Sequence, residues 1–332
     1  MYTIKSLFLI LFVFLLNFSV LAQDPKYPKE ITVAQDGSGN YKTIQEAVNS
    51  VRDLGQWQVI IRIRQGIYHE KLIIPSWKTK ISLIGEDKSN TIVTNNDFSG
   101  KIIFEGKDGY GLTKFSTYTS YTVLAQGDDI IMENLTVENT SGRVGQAVAL
   151  HVEGNRFKMK NCILLGNQDT LYTAKESSHQ YYENCFIEGT TDFIFGEATA
   201  VFSSCTIKSL SNSYITAAAT TKNQQFGYVF LNCKLIAGPD VKKVYLGRPW
   251  RPYAKTVFIR CELGPHIVPE GWNPWKGDLM FIDKEKTAFY AEYQSTGESA
   301  NLTQRVKWSK QLMPKEAKKY TPAYILGSDW WK

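Results

Sequence analysis

The chain contains no Gly-x-Ser-x-Gly element, so the strained turn that presents a nucleophilic serine in many esterases is missing. Its four histidines, His69, His151, His179 and His266, show neither HExxH nor other ligand spacing, and no metal site is expected. The Gly37/Gly39 pair is not followed by Gly-Lys-Ser/Thr and lies outside any βαβ alternation, which argues against a nucleotide-binding loop. No basic run with interleaved aromatics occurs, so nucleic acid is not an expected partner. After the N-terminus there is no second long apolar run, no low-complexity tract and no Pro/Gly/Ser-rich linker.

What stands at the N-terminus looks like an export signal. Lys5 precedes an apolar run from Leu7 to Leu16, and Val20-Leu21-Ala22 before Gln23 suits a signal peptidase. The run is too short to span a bilayer comfortably, and no cysteine follows Ala22 to carry a lipid. The expectation is a signal peptide over residues 1–22, one domain over 23–332, and a secreted or periplasmic protein with no stable membrane anchor. With 43% hydrophobic and 21% charged residues there is ample material for a core. The formal charge of +6 would help attract a polyanion.

The five cysteines recur at one place in a repeat. Asn161-Cys162-Ile163-Leu164, Asn184-Cys185-Phe186-Ile187, Ser204-Cys205-Thr206-Ile207, Asn232-Cys233-Lys234-Leu235 and Arg260-Cys261-Glu262-Leu263 each predict one short strand, and Asn134-Leu135-Thr136-Val137 is a cysteine-free copy. Steps of 23, 20, 28 and 28 residues between the cysteines predict a solenoid of stacked coils, since one coil cannot bury its apolar side alone. An odd number of cysteines on equivalent strands favours a ladder of thiols, although stacked strands would also allow a bridge. Upstream, Thr43 and Glu46 form a capping box ahead of Ile44, Ala47, Val48 and Val51, predicting a helix that caps the open end of the first coil.

The same period organises the chemistry. Asp169 and Asp192 each follow a repeat cysteine by seven residues and are 23 apart, so the repeat stacks their carboxylates. Gln146, another 23 residues earlier, is expected in the same column, with Gln168 beside Asp169. Two carboxylates about 5 Å apart cannot both ionise freely. Arg248 falls two coils beyond Asp192, where its long stem would hold that residue as the carboxylate and leave Asp169 as a general acid. Such a pair also suits a retaining glycosidase. The neighbouring amides favour ester hydrolysis, because they suit a tetrahedral oxyanion that glycoside cleavage does not form.

Five segments in order resemble the motifs of the pectin methylesterase (pectinesterase) family: Gly66-Ile67-Tyr68-His69-Glu70, Gln146-Ala147-Val148-Ala149-Leu150, Gln168-Asp169-Thr170-Leu171-Tyr172, Gly189-Thr190-Thr191-Asp192-Phe193-Ile194-Phe195-Gly196 and Leu246-Gly247-Arg248-Pro249-Trp250. The resemblance implies an all-β fold, a right-handed parallel β-helix, and hydrolysis of galacturonate methyl esters without a cofactor. It makes Asp192 the nucleophile, Asp169 the acid and then the base, Gln168 and Gln146 the oxyanion donors, and Arg248 the group that orients the nucleophile. Trp250, Tyr172, Phe195, Tyr245 and Trp275 match aromatic positions of a sugar-binding groove, and Thr117 with Tyr118 matches a further substrate contact. The expected partner is methyl-esterified homogalacturonan, bound by a monomer. The interval between Asp169 and Asp192 is about two residues longer than in plant members, and no plant-type inhibitory pro-region is expected, so the resemblance is to a bacterial-type enzyme. Tyr68 and Glu70 are expected to be structural. Open alternatives are another pectin-active β-helix enzyme, a lyase or galacturonase, and a non-catalytic polysaccharide-binding β-helix.

Overall fold

A computed structural model describes residues 27–332. The predicted signal peptide lies outside the described residues. Three parallel sheets of eleven, eight and seven strands form a right-handed β-helix, the central coils contributing a strand to each. One coil serves as an example. Strand His179–Glu183 belongs to the eleven-stranded sheet, Phe186–Gly189 to the eight-stranded sheet and Ile194–Gly196 to the seven-stranded sheet.

The repeated tetrapeptide is a corner as well as a strand. The residue before each cysteine, Asn161, Asn184, Ser204, Asn232 and Arg260, has φ between 51° and 54°, as does Asn134 in the cysteine-free copy. This left-handed bend turns the chain from one sheet into the next, and asparagine tolerates it better than most residues. The cysteine that follows points inward, where small apolar side chains fit. All five thiols are free and buried, each against a carbonyl of the preceding coil, as Cys233 Sγ does to Phe202 O at 3.3 Å. Titration of the denatured protein should therefore find five free thiols; a smaller number would show that a bridge forms.

Stacking in register builds the core. Tyr182, Phe202, Phe230 and Phe258 occupy equivalent positions on successive coils, with ring centroids 4.8, 4.5 and 4.3 Å apart. At the N-terminal end the helix Ile44–Ser50 forms with the predicted Thr43/Glu46 capping box and buries Ile44, Ala47 and Val48. The Glu70 carboxylate accepts from Ile44 N at 2.8 Å and Gln45 N at 2.9 Å, satisfying free amides at the start of that helix. Tyr68 is buried beneath it with its hydroxyl on Arg64 O. Both residues are structural, as expected. The C-terminal helix Pro322–Leu326 packs Ile325 and Leu326 on the outward apolar face of the eleven-stranded sheet. Among the described residues no helix is long and apolar enough to cross a membrane.

Candidate active site

The site lies along the outward face of the seven-stranded sheet. Asp169 and Asp192 each precede a strand of that sheet by two residues, Leu171–Thr173 and Ile194–Gly196, and these strands pair with the predicted offset of 23. Both aspartates sit in left-handed turns, with φ of 67° and 48°. Asp169 N–H donates to Thr191 O in the next coil and Asp192 N–H to Tyr214 O in the one after, so the turns are locked in register. Aspartate suits that backbone. Burial is what sets these two apart, since each is only 6% exposed.

Arg248 distinguishes the two carboxylates. It lies in strand Tyr245–Pro249, two coils beyond Asp192 as the spacing predicts. Its Nε and Nη2 donate to the two oxygens of Asp192 at 3.0 and 2.6 Å, a bidentate pair. The guanidinium also rests against the rings of Tyr214, at 3.9 Å, and Trp275, at 3.6 Å. Gly247 permits this placement, because a Cβ there would lie 2.0 Å from Thr216 Oγ1 on the neighbouring strand. Ala217 occupies the coil between Phe195 and Arg248 in the same outward column, and its small side chain leaves room for the guanidinium to reach back to Asp192.

Asp169 makes no side-chain hydrogen bond or ion pair with another described residue. Burial pushes its carboxyl well above the ordinary range, and the neighbouring Asp192 charge pushes further. Burial also raises Asp192, but the Arg248 hydrogen bonds and charge pull it back, with help from Lys284. The proton of the pair therefore belongs on Asp169 and the charge on Asp192.

One sequence expectation is corrected. Gln146 is not in the column of the aspartates: it bridges Gln168, and strands Leu150–Val152 and Leu171–Thr173 pair with an offset of 21 rather than 23. This coil is two residues shorter than the next, so the column slips and the glutamines stack on each other beside the stacked aspartates. Neither amide is hydrogen-bonded to another described side chain, and both face the cavity.

A cavity of about 210 Å³ gathers ten of the predicted residues, Thr117, Tyr118, Gln146, Gln168, Asp169, Asp192, Phe195, Arg248, Trp250 and Trp275, together with Ala217. Thr117 and Tyr118 come from the short turn Thr117–Thr119. Tyr172 and Tyr245 are not in this lining. Tyr172 is stacked flat on Phe195 at 4.5 Å and packed against His151 at 4.4 Å, forming the floor of the groove. Tyr245 lies against Tyr214 at 5.5 Å, behind Arg248. Sequence reasoning missed Ala217 and Tyr214; the strand register that aligns Ala217 with Arg248 and Tyr214 with Tyr245 was the signal for both. It also missed Arg251, which stacks on Trp250 at 4.6 Å and makes no ion pair among the described residues. Nor is any group of three potential metal-ligating side chains found among the described residues.

Known proteins share both the sequence and the shape. The pectinesterase family matches residues 30–329. A probable pectinesterase/pectinesterase inhibitor of Arabidopsis thaliana is 37% identical over 316 residues, covering 91% of this chain and 52% of its own length. The chain thus spans about half the length of the curated relatives it matches. The solved pectin methylesterase from carrot superposes with a TM-score of 0.81 at 34% identity, covering 90% of this chain and 92% of that one. A pectin methylesterase solved in complex with a hexasaccharide gives 0.77 at 29% identity, with 89% and 96% covered. With a match across nearly all of the described fold, the chain belongs to the pectinesterase family.

Proposed function

We propose that this protein is a secreted or periplasmic pectin methylesterase, hydrolysing methyl esters of homogalacturonan to pectate and methanol. The observation that carries this reading is the unequal pair: Asp192 gripped by Arg248 through both oxygens, and beside it a buried Asp169 without a side-chain partner. Asp192, as carboxylate, attacks the ester carbonyl. The oxyanion that forms is met by the amides of Gln168 and Gln146, which have no competing partner to release. As the intermediate collapses, Asp169 gives its proton to the departing oxygen and methanol leaves, with the galacturonyl group held on Asp192 as an anhydride. Water then loses a proton to Asp169 as its oxygen attacks the galacturonyl carbonyl, which frees Asp192 as carboxylate and restores the acid.

The groove suits a polyuronate. Phe195, Trp250 and Trp275 offer flat faces for sugar rings, and Arg251 offers a cation for a free carboxylate of the chain. Binding of a hexasaccharide by a solved relative is in keeping with this. The test is incubation with highly methylated pectin, following methanol, acid and chain length together. Methanol and acid without chain shortening are expected; shortened or unsaturated chains would instead identify a galacturonase or a lyase. Gln168→Ala should keep the melting temperature and slow kcat by about 10²- to 10³-fold, the usual effect of losing one oxyanion donor.

A further inference from the structure

Lys284 is a buried charge that the chemistry above leaves unexplained. It opens the short turn Lys284–Lys286, and its side chain is 0% exposed. An ammonium out of water is costly unless its donors are all engaged. Here Nζ donates to Asp278 Oδ2 at 2.6 Å and to Trp250 O at 3.3 Å, and lies 4.3 Å from the centre of the Trp275 ring. The last two partners belong to residues lining the catalytic cavity, and Trp275 is also the ring against which the Arg248 guanidinium rests. Trp275 holds a φ of 55°, a left-handed conformation unfavourable for a bulky aromatic. Its backbone is secured by Asn273 Oδ1, and its ring by the two cations.

We propose that Lys284 is a positioning residue for the nucleophile, fixing Trp275 against Arg248 and adding a second positive charge that keeps Asp192 ionised beside protonated Asp169. The proposal rests on the esterase reading of the site. The charges that face these groups are few. Asp192 faces Arg248, Asp169 and, farther off, Lys284, with the buried phenol of Tyr290 in the same field. Lys284 faces Asp278, with Arg251 and Arg248 as more distant like charges. The neighbouring Asp283 and Glu285 are engaged by Lys276, and Asp283 also by Lys286. The ammonium and the Asp278 carboxylate therefore act on Asp192 with opposite sign.

That opposition gives the test. The profile of kcat/KM against pH is measured for methanol release from a fully methyl-esterified oligogalacturonate, which has no side carboxyl to titrate. Lys284→Met removes the cation, so the acid limb should move to higher pH, by about half a unit for a charge acting from beyond direct contact. On that limb activity falls roughly threefold, half a unit being half a decade. Asp278→Asn removes the opposing carboxylate and should move the same limb to lower pH. A purely structural role would loosen the same segment in both variants, and would move both limbs alike or neither. Opposite displacements support the proposal; equal or absent displacements overturn it. Should Lys284→Met fail to fold, Asp278→Asn decides alone, and an acid limb unmoved or raised overturns the proposal. Asp192→Ala measured in parallel separates the two claims. If it stays active the esterase reading fails, whereas an inactive Asp192→Ala beside unmoved limbs sinks only the role of Lys284.

Discussion

Asp192→Ala is expected to lose methanol release from methylated pectin by about 10⁴-fold or more, as removal of a nucleophile does in other covalent hydrolases. The expectation follows from position and charge together. Asp192 is the carboxylate that Arg248 orients through both oxygens, and the partner Asp169 lacks any such cation contact. Asp169 does not take over the attack, because burial, the larger influence on its carboxyl, still disfavours its ionisation once the neighbouring charge is gone. The variant leaves the Arg248 guanidinium without its carboxylate, but the rings of Tyr214 and Trp275 still flank it and its side chain is 18% exposed, so the fold should survive. Asp192→Asn keeps the shape and should be equally inactive. The measurement is single-turnover and steady-state methanol release, with circular dichroism to confirm the fold. Retention of even a tenth of the activity would remove Asp192 from the nucleophile's role.

Asp169→Asn should produce two effects of opposite kind: a loss of activity of about 10²- to 10⁴-fold, the usual contribution of a general acid, and a gain in stability near neutral pH. The sign follows from the raised pKa. In the unfolded chain this carboxyl ionises near its ordinary value of 3.8, whereas the folded protein keeps the proton to much higher pH. Below the unfolded value both states are protonated and the fold bears no penalty. As pH rises from there through the folded-state pKa, the unfolded chain gains by ionising while the native site resists, so stability is progressively lost. Asparagine does not ionise and also removes the like charge beside Asp192. Its advantage over the parent should be near zero at acid pH and widen upward, reaching about 1 kcal/mol, or roughly 1 to 2 °C in Tm for a chain of this size. Thermal melts at several pH values test this. A gap that widens toward acid pH, or an active variant, would contradict the assignment.

Much of this site was legible as arithmetic. Asp169 and Asp192 share an interval with the repeat cysteines, and that interval survives in the pairing of Leu171 with Ile194. The two-coil distance to Arg248 was equally accurate, because each strand in a parallel β-helix stacks on its counterpart one coil earlier. Gln146 was misplaced for the same reason in reverse. Period alone cannot register a turn that is shorter in one coil, and the offset there is 21. Tyr172 and Tyr245 matched groove positions by resemblance, yet packing sets one as floor beneath Phe195 and the other as support behind Tyr214. Lys284 carried no sequence signal. It follows the loop containing Asp278 and reads as one more charge in a polar stretch, and only the folded loop turns it inward onto Trp275.

The sequence by itself determined the repeat, the parallel stacking and the identity of the paired carboxylates, because a coil that cannot bury its apolar side alone writes its period into every strand. The tertiary structure decided how Arg248 reaches and grips Asp192. That depends on where a long guanidinium stem ends, which small residue lets it pass and which rings hold it there. Such contacts are set by the packing of separate coils and loops, and no local interval encodes them.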